Sequence, residues 1–244
     1  MNTIILIKLI AAHLTGDFLF QSDRMCADKF SNNATAKYKA LLLHAFIQAA
    51  LAYVFVAQWN CWIIPVVIGV SHFIIDYVKS GIKRNDLISL VWDQLAHFCV
   101  IIGLWWFAFA RLPHLDMADE ILSTTFWLII TAYIAVLAPT SILIKSFIDF
   151  EKWMPSDASS QGLPNAGKWI GYLERILILT FIFTDNIEGI GFLLAAKSVF
   201  RFGELNKAKD IKITEYVLIG TFASFTIAIL IGFGINWLIG MNFE

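Results

Sequence analysis

Four short stretches each place a histidine one helical turn from a second polar side chain. HLTGD gives His13 and Asp17, SHFIID gives His72 and Asp76, DQLAH gives Asp93 and His97, and HAFIQ gives His44 with Gln48. Residues at i and i+4 lie ~40° apart around an α-helix and ~6 Å along it, so each pair presents two ligands on one face. Imidazole nitrogen is a borderline ligand and carboxylate oxygen a hard one, a mixture suited to zinc and also to manganese, iron or nickel. His13, Asp17, His44, His72, Asp76, Asp93 and His97 together exceed the needs of one tetrahedral ion. They predict one or two divalent transition-metal ions, zinc before the others. Asp17, Asp76 and Asp93 are then the candidate catalytic carboxylates, to bridge two ions or to act as general base toward a bound water. Gln21, Gln48 and Gln94 are candidates to orient these ligands by hydrogen bonds.

Other chemistries use the same residues. A lone histidine on an apolar helix is often a hydrogen-bonded packing residue, and His44 taken singly fits that as well. Two histidines suit a b-type haem, but haem does not need an aspartate one turn from each imidazole. A proton relay or a pathway for divalent cations is the strongest competitor. It would string its residues through the membrane rather than confine them to one layer.

The elements that must carry these pairs are membrane helices. The chain has 244 residues, of which 59% are hydrophobic and 15% charged; its mean hydropathy is +0.71, too apolar for a soluble domain of this size. Apolar runs near residues 3–21, 38–58, 61–80, 87–110, 121–147, 168–184, 187–203 and 214–241 are each about long enough to cross a ~30 Å hydrocarbon core. They predict an all-α, polytopic transmembrane helix bundle of about eight spans. Pro139 should bend the fifth. The sixth and seventh carry Glu174, Arg175, Lys197 and Arg201 and read as short or tilted. EKWMPSDASSQGLPNAGK reads as a loop. Cys26, Cys61 and Cys99 form no CxxC pattern and suggest neither a disulfide framework nor a thiolate site. The first span lacks a basic leader and a small-residue cleavage site, so it reads as retained. No nucleic-acid partner is expected, and the oligomeric state stays open, a homo-oligomer included.

Basic residues sort onto alternate connections. Arg24, Lys29, Lys37 and Lys39 follow the first span; Lys79, Lys83 and Arg84 the third; Lys145, Lys152 and Lys168 the fifth; Arg201, Lys207, Lys209 and Lys212 the seventh. Only Arg111 falls on the other side. The positive-inside rule puts these loops in the cytoplasm and both termini outside. The order of each pair follows that topology. Histidine precedes aspartate in the first and third spans, which run toward the cytoplasm, and follows it in the fourth, which runs away. All three aspartates therefore lie one turn nearer the cytoplasm than their histidines, and His44 falls in the histidine layer. Residues 1–110 read as a metal-binding four-helix half of a single integral-membrane domain.

Residues 121–244 supply a second constellation, Glu174 and Arg175 in GYLER with Lys197 and Arg201 in AAKSVFR. Fixed cations suit an anionic head group, so these four are the candidate substrate-binding residues, an interhelical ion pair being the alternative. The chain resembles a bacterial inner-membrane family known as domain of unknown function 3307, through HLTGDFLFQ, His44, SHFIIDYVK, DQLAHF, GYLERILIL and GFLLAAKSVFRFGEL. That resemblance implies a multi-pass protein of the bacterial inner membrane and carries no information on activity. The HxxxD pattern is also similar to that of membrane-bound metal-dependent hydrolases. The expectation is a hydrolase acting at the cytoplasmic leaflet on a phosphorylated lipid or isoprenoid, or a similar small anionic lipid. A transporter or channel for divalent ions or protons is the alternative, and a scaffold with a structural metal the third reading.

Overall fold

The computed structural model of the chain describes residues 3–82, 87–109, 124–148, 165–202 and 208–241, without the side chains of 200–214 and 216. Among these residues the chain is all α. The helices are α1 (Thr3–Phe18), α2 (Asp23–Lys29), α3 (Ala34–Val56), α4 (Ile63–Ile82), α5 (Leu87–Ala108), α6 (Thr124–Val136), α7 (Ala138–Phe147), α8 (Ala166–Phe183), α9 (Glu188–Phe202) and α10 (Ala208–Met241).

Five stretches are long and apolar enough to cross a membrane: α3, α4, α5, the run from Thr124 to Phe147, and Val217–Met241 within α10. The pair α1 and α2, bent by 85°, makes a sixth if counted as one. The expected sixth and seventh spans fold as α8 and α9, but neither is in that set. Helix α8 carries Lys168, Glu174 and Arg175 within its 18 residues, and α9 has only 15. Turn chemistry explains the α1–α2 bend. Ser22 caps α2 by accepting from Met25 N at 3.2 Å, and Asn33 caps α3 by accepting from Thr35 N and Ala36 N.

The chain divides into two compact units, Met1–Ile134 and Ala135–Glu244. Trp127 attaches most of α6 to the first unit: its ring lies 5.4 Å from that of Phe55 and under Lys8 Nζ at 5.2 Å. In the first unit α3 packs against α1 and α4, α5 against α1 and α4, and the short α2 against α3 and α4. One half of this bundle is apolar apart from the buried Lys8, closed by Ile5, Leu9, Ile64, Ile68, Ile101 and Trp105. The other half holds the His/Asp layer.

In the second unit α8 packs on α9 and α10, and α10 on α7. Pro139 breaks the α6–α7 run as its missing N–H requires. The carbonyl of Ala135, which residue 139 would have served, accepts instead from Thr140 Oγ1 at 2.8 Å.

Candidate metal centre

Helical spacing puts His13 and Asp17 on the buried face of α1, His44 and Gln48 on that of α3, His72 and Asp76 on that of α4, and Asp93 and His97 on that of α5. All four histidines are at most 2% exposed. The structure brings all seven candidate ligands together. Three overlapping groups have one ligand atom per residue within 4.8 Å of one another: His13, Asp17 and His97; Asp17, His44 and His72; Asp76, Asp93 and His97.

Hydrogen bonds fix how the histidines hold their protons, because a carbonyl or amide oxygen can only accept. His97 Nδ1 donates to the Asp93 carbonyl at 2.8 Å, so in the neutral ring Nε2 is a bare lone pair. It has no partner among the described residues, and neither have Asp93 Oδ1, His44 Nδ1 and His72 Nδ1. His13 Nε2 donates to Gln94 Oε1 at 3.1 Å, so His13 Nδ1 accepts from His72 Nε2 at 3.2 Å. His44 Nε2 donates to Asp17 Oδ1 at 3.1 Å. Buried polar atoms without partners are scarce in folded proteins and call for an ion or an ordered water. Here five of them, Gln48 Oε1 included, belong to the layer of the seven candidate ligands. The donor set therefore fits a transition-metal ion of the zinc type.

Two of the three expected orienting glutamines act on Asp17. Gln94 Nε2 donates to Asp17 Oδ2 at 2.9 Å, and Gln48 Nε2 donates to Asp17 Oδ1 and to the His13 carbonyl. Gln21 does not; it donates to Cys26 Sγ at 3.0 Å. Gly16 makes room for Gln48, since a Cβ there would lie 2.5 Å from Gln48 Cδ. Gly16→Ala is therefore expected to pull Gln48 off Asp17. Metal affinity should fall by roughly 10–100-fold, the usual cost of losing an orienting partner, as read by chelator competition. An unchanged affinity would show that Gln48 does not position the ligand.

Two residues of the site have no signature in the sequence, where they read as loop charges. Lys29, at the end of α2 and 4% exposed, donates to Asp76 Oδ2 at 2.6 Å. Lys79, one turn beyond Asp76 on α4, donates to Asp93 Oδ2 at 2.7 Å. The one available signal is the charge balance: buried carboxylates need cations.

The expected substrate-binding residues are engaged within their own unit. Arg175 Nε donates to the Val136 carbonyl, Nη2 to the Leu137 carbonyl at 3.3 Å and to Ser141 Oγ at 2.6 Å, and Nη1 to Ser224 Oγ at 2.9 Å. The arginine thus closes the backbone break that Pro139 makes. Lys197 Nζ donates to Glu174 Oε2 at 2.7 Å, the interhelical ion pair of the alternative reading. The side chain of Arg201 lies outside the described residues.

No curated protein matches this chain, and no solved structure matches it. Residues 5–128 match the family described as protein of unknown function (DUF3307). That stretch contains all seven candidate ligands, Gln48 and Gln94, and both lysines. The chain belongs to the DUF3307 family.

Proposed function

We propose that the chain is a multi-pass protein of the bacterial inner membrane, with both termini outside, and a metal-dependent hydrolase of a phosphorylated lipid or isoprenoid at the cytoplasmic leaflet. The observation that carries the metal is His97. Its proton is committed to the Asp93 carbonyl, its bare Nε2 is buried and unpartnered, and its ring groups with His13 and Asp17.

A divalent ion bound there would supply a water acidified toward neutral pH and a Lewis acid for a phosphoryl oxygen. The protein's own groups do the rest. His13, Asp17, His44, His72 and His97 would hold the ion, while Gln48 and Gln94 hold the Asp17 carboxylate in one orientation. Asp76 or Asp93 accepts a proton from water or substrate, and burial excludes bulk water. The apolar half of the bundle favours hydrolysis over transport. A conducting path would have to continue past Ile5, Leu9, Ile64, Ile68 and Ile101, which offer a cation nothing.

The test is a screen of the purified protein in liposomes against phosphorylated lipids, for release of phosphate or head group that stops on chelation. If no substrate is cleaved and metal-loaded liposomes show ion flux that Asp76→Ala abolishes, the transporter alternative holds. The topology is tested by labelling. A cysteine at Asn33, which is exposed at the start of α3, should react only from the cytoplasm, as should one at Ser156. One at Asp116 should react only from outside. Positions 116 and 156 lie outside the described residues, so they test the charge rule alone. Outside labelling at 33 moves the site to the other leaflet.

A further inference from the structure

Charge limits how many ions the layer can hold. Asp17, Asp76 and Asp93 bring three negative charges, and two are already balanced by Lys29 at 2.6 Å and Lys79 at 2.7 Å. Asp17 differs from the other two. Its hydrogen bonds come from His44, Gln48 and Gln94, and the basic groups set within 4 Å of it are the imidazoles of His13, His44 and His72. One divalent ion at Asp17 leaves roughly one net positive charge in the layer. A second leaves roughly three, which apolar surroundings oppose strongly.

Geometry points the same way. Asp17 belongs to two of the three ligand groups, with His13 and His97 and with His44 and His72. Asp17 Oδ1 lies 3.1 Å from His44 Nε2 and 3.7 Å from His72 Nε2. Metal bonds of ~2.0–2.1 Å set the edge of a tetrahedron at about 3.3 Å. Ligation through Nε2 would shift each ring proton to Nδ1. The third group, Asp76, Asp93 and His97, is the one in which both lysines sit. An ammonium has no lone pair and cannot ligate, so it competes with an ion for the same carboxylate oxygen.

We infer that this is a one-metal, two-ammonium site: a single divalent ion seated on Asp17, with Lys29 and Lys79 taking the place of a second ion at Asp76 and Asp93. The inference rests on the metal-dependent reading above and deepens it. In two-metal phosphoester sites the second ion helps neutralise the phosphoryl oxygens, and a fixed ammonium supplies that charge without coordination. Lys79 is the one placed to meet a ligand. Its side chain is 22% exposed against 6% for Lys29, and it lines a cavity of about 420 Å³ between α4 and α5. Ile75, Val78, Ile88 and Trp92 form the apolar wall of that cavity, with Asp93 at its polar end. An oxyanion carried on an apolar chain fits this lining: the chain lies against the wall and the oxyanion takes Lys79 from Asp93.

Zinc titration of the full-length parent, freed of metal by chelation, decides the stoichiometry without any variant. Saturation at one ion per chain is expected. Saturation at two overturns the inference while leaving the metal-dependent reading intact, and no specific zinc binding overturns that reading itself. Two double variants test the lysines, each removing both members of an ion pair so that no lone charge stays buried. Lys29→Met with Asp76→Asn should still bind one zinc, and loss of the ion would place it on Asp76. Lys79→Met with Asp93→Asn should also keep one zinc, yet bind dodecyl phosphate at least tenfold more weakly by calorimetry. Unchanged binding of that probe overturns the role of Lys79. Inorganic phosphate is compared with dodecyl phosphate on the parent: equal affinity would show that the apolar wall takes no part.

Discussion

Asp17→Ala is expected to cost the purified protein nearly all its bound transition metal, with an affinity loss above ~100-fold. Orienting partners typically cost 10–100-fold, and Asp17 is placed as a ligand rather than as a partner of one. It is the carboxylate shared by two of the three ligand groups, and two glutamines and one histidine hydrogen-bond it. His72→Ala and His97→Ala should also deplete the ion, because a chelate that loses one ligand seldom completes its shell from what remains. Elemental analysis of protein purified without added metal, together with chelator competition, reads the effect. Full metal content in all three variants would remove the site as described. Folding is checked by the helical circular-dichroism signal and its thermal loss in detergent.

Arg175→Ala is expected to destabilise the second unit by on the order of 4 kcal/mol while leaving metal content unchanged. Two backbone carbonyls and two serine hydroxyls accept from the Arg175 guanidinium. Bonds from a charged donor contribute ~1.5–3 kcal/mol each, but the bonds of one guanidinium are not additive and the cost of burying its charge offsets part of them, which leaves roughly 4 kcal/mol. The sequence alone points to a different outcome, an intact fold with weaker turnover of an anionic lipid. Thermal unfolding in detergent, followed by proteolysis of the region after Ala135, separates the two. Normal unfolding with reduced turnover would return Arg175 to substrate binding. Lys197→Met should be milder than Arg175→Ala, since the Lys197 side chain is 25% exposed and its ion pair with Glu174 is partly solvated.

The grouping of the seven candidate ligands is legible in the sequence because two rules constrain it independently. Helical periodicity puts each His/Asp pair on one face, and the alternation of basic loops sets the direction of each helix, hence the depth of each pair. The reversal of order in DQLAH is what makes depth readable: a helix running the other way must invert its motif to reach the same layer. The break at Pro139 is equally readable, since a residue without an N–H cannot complete the α-helical ladder.

Tertiary structure alone decided where the cations went. Lys29 and Lys79 look like loop charges in the sequence, and the 85° bend between α1 and α2 that accompanies Lys29 reaching Asp76 is set by Ser22 capping a seven-residue helix, too short for periodicity to announce. Arg175 looks like an anion ligand until its acceptors, the Val136 and Leu137 carbonyls beside the break at Pro139, are found 39 and 38 residues earlier in the chain, a pairing that no local pattern encodes. Spacing along one helix fixes which side chains share a face. Which partner a charge meets across helices depends on how those faces pack, and for long side chains such as Lys and Arg the chain sequence leaves that choice open.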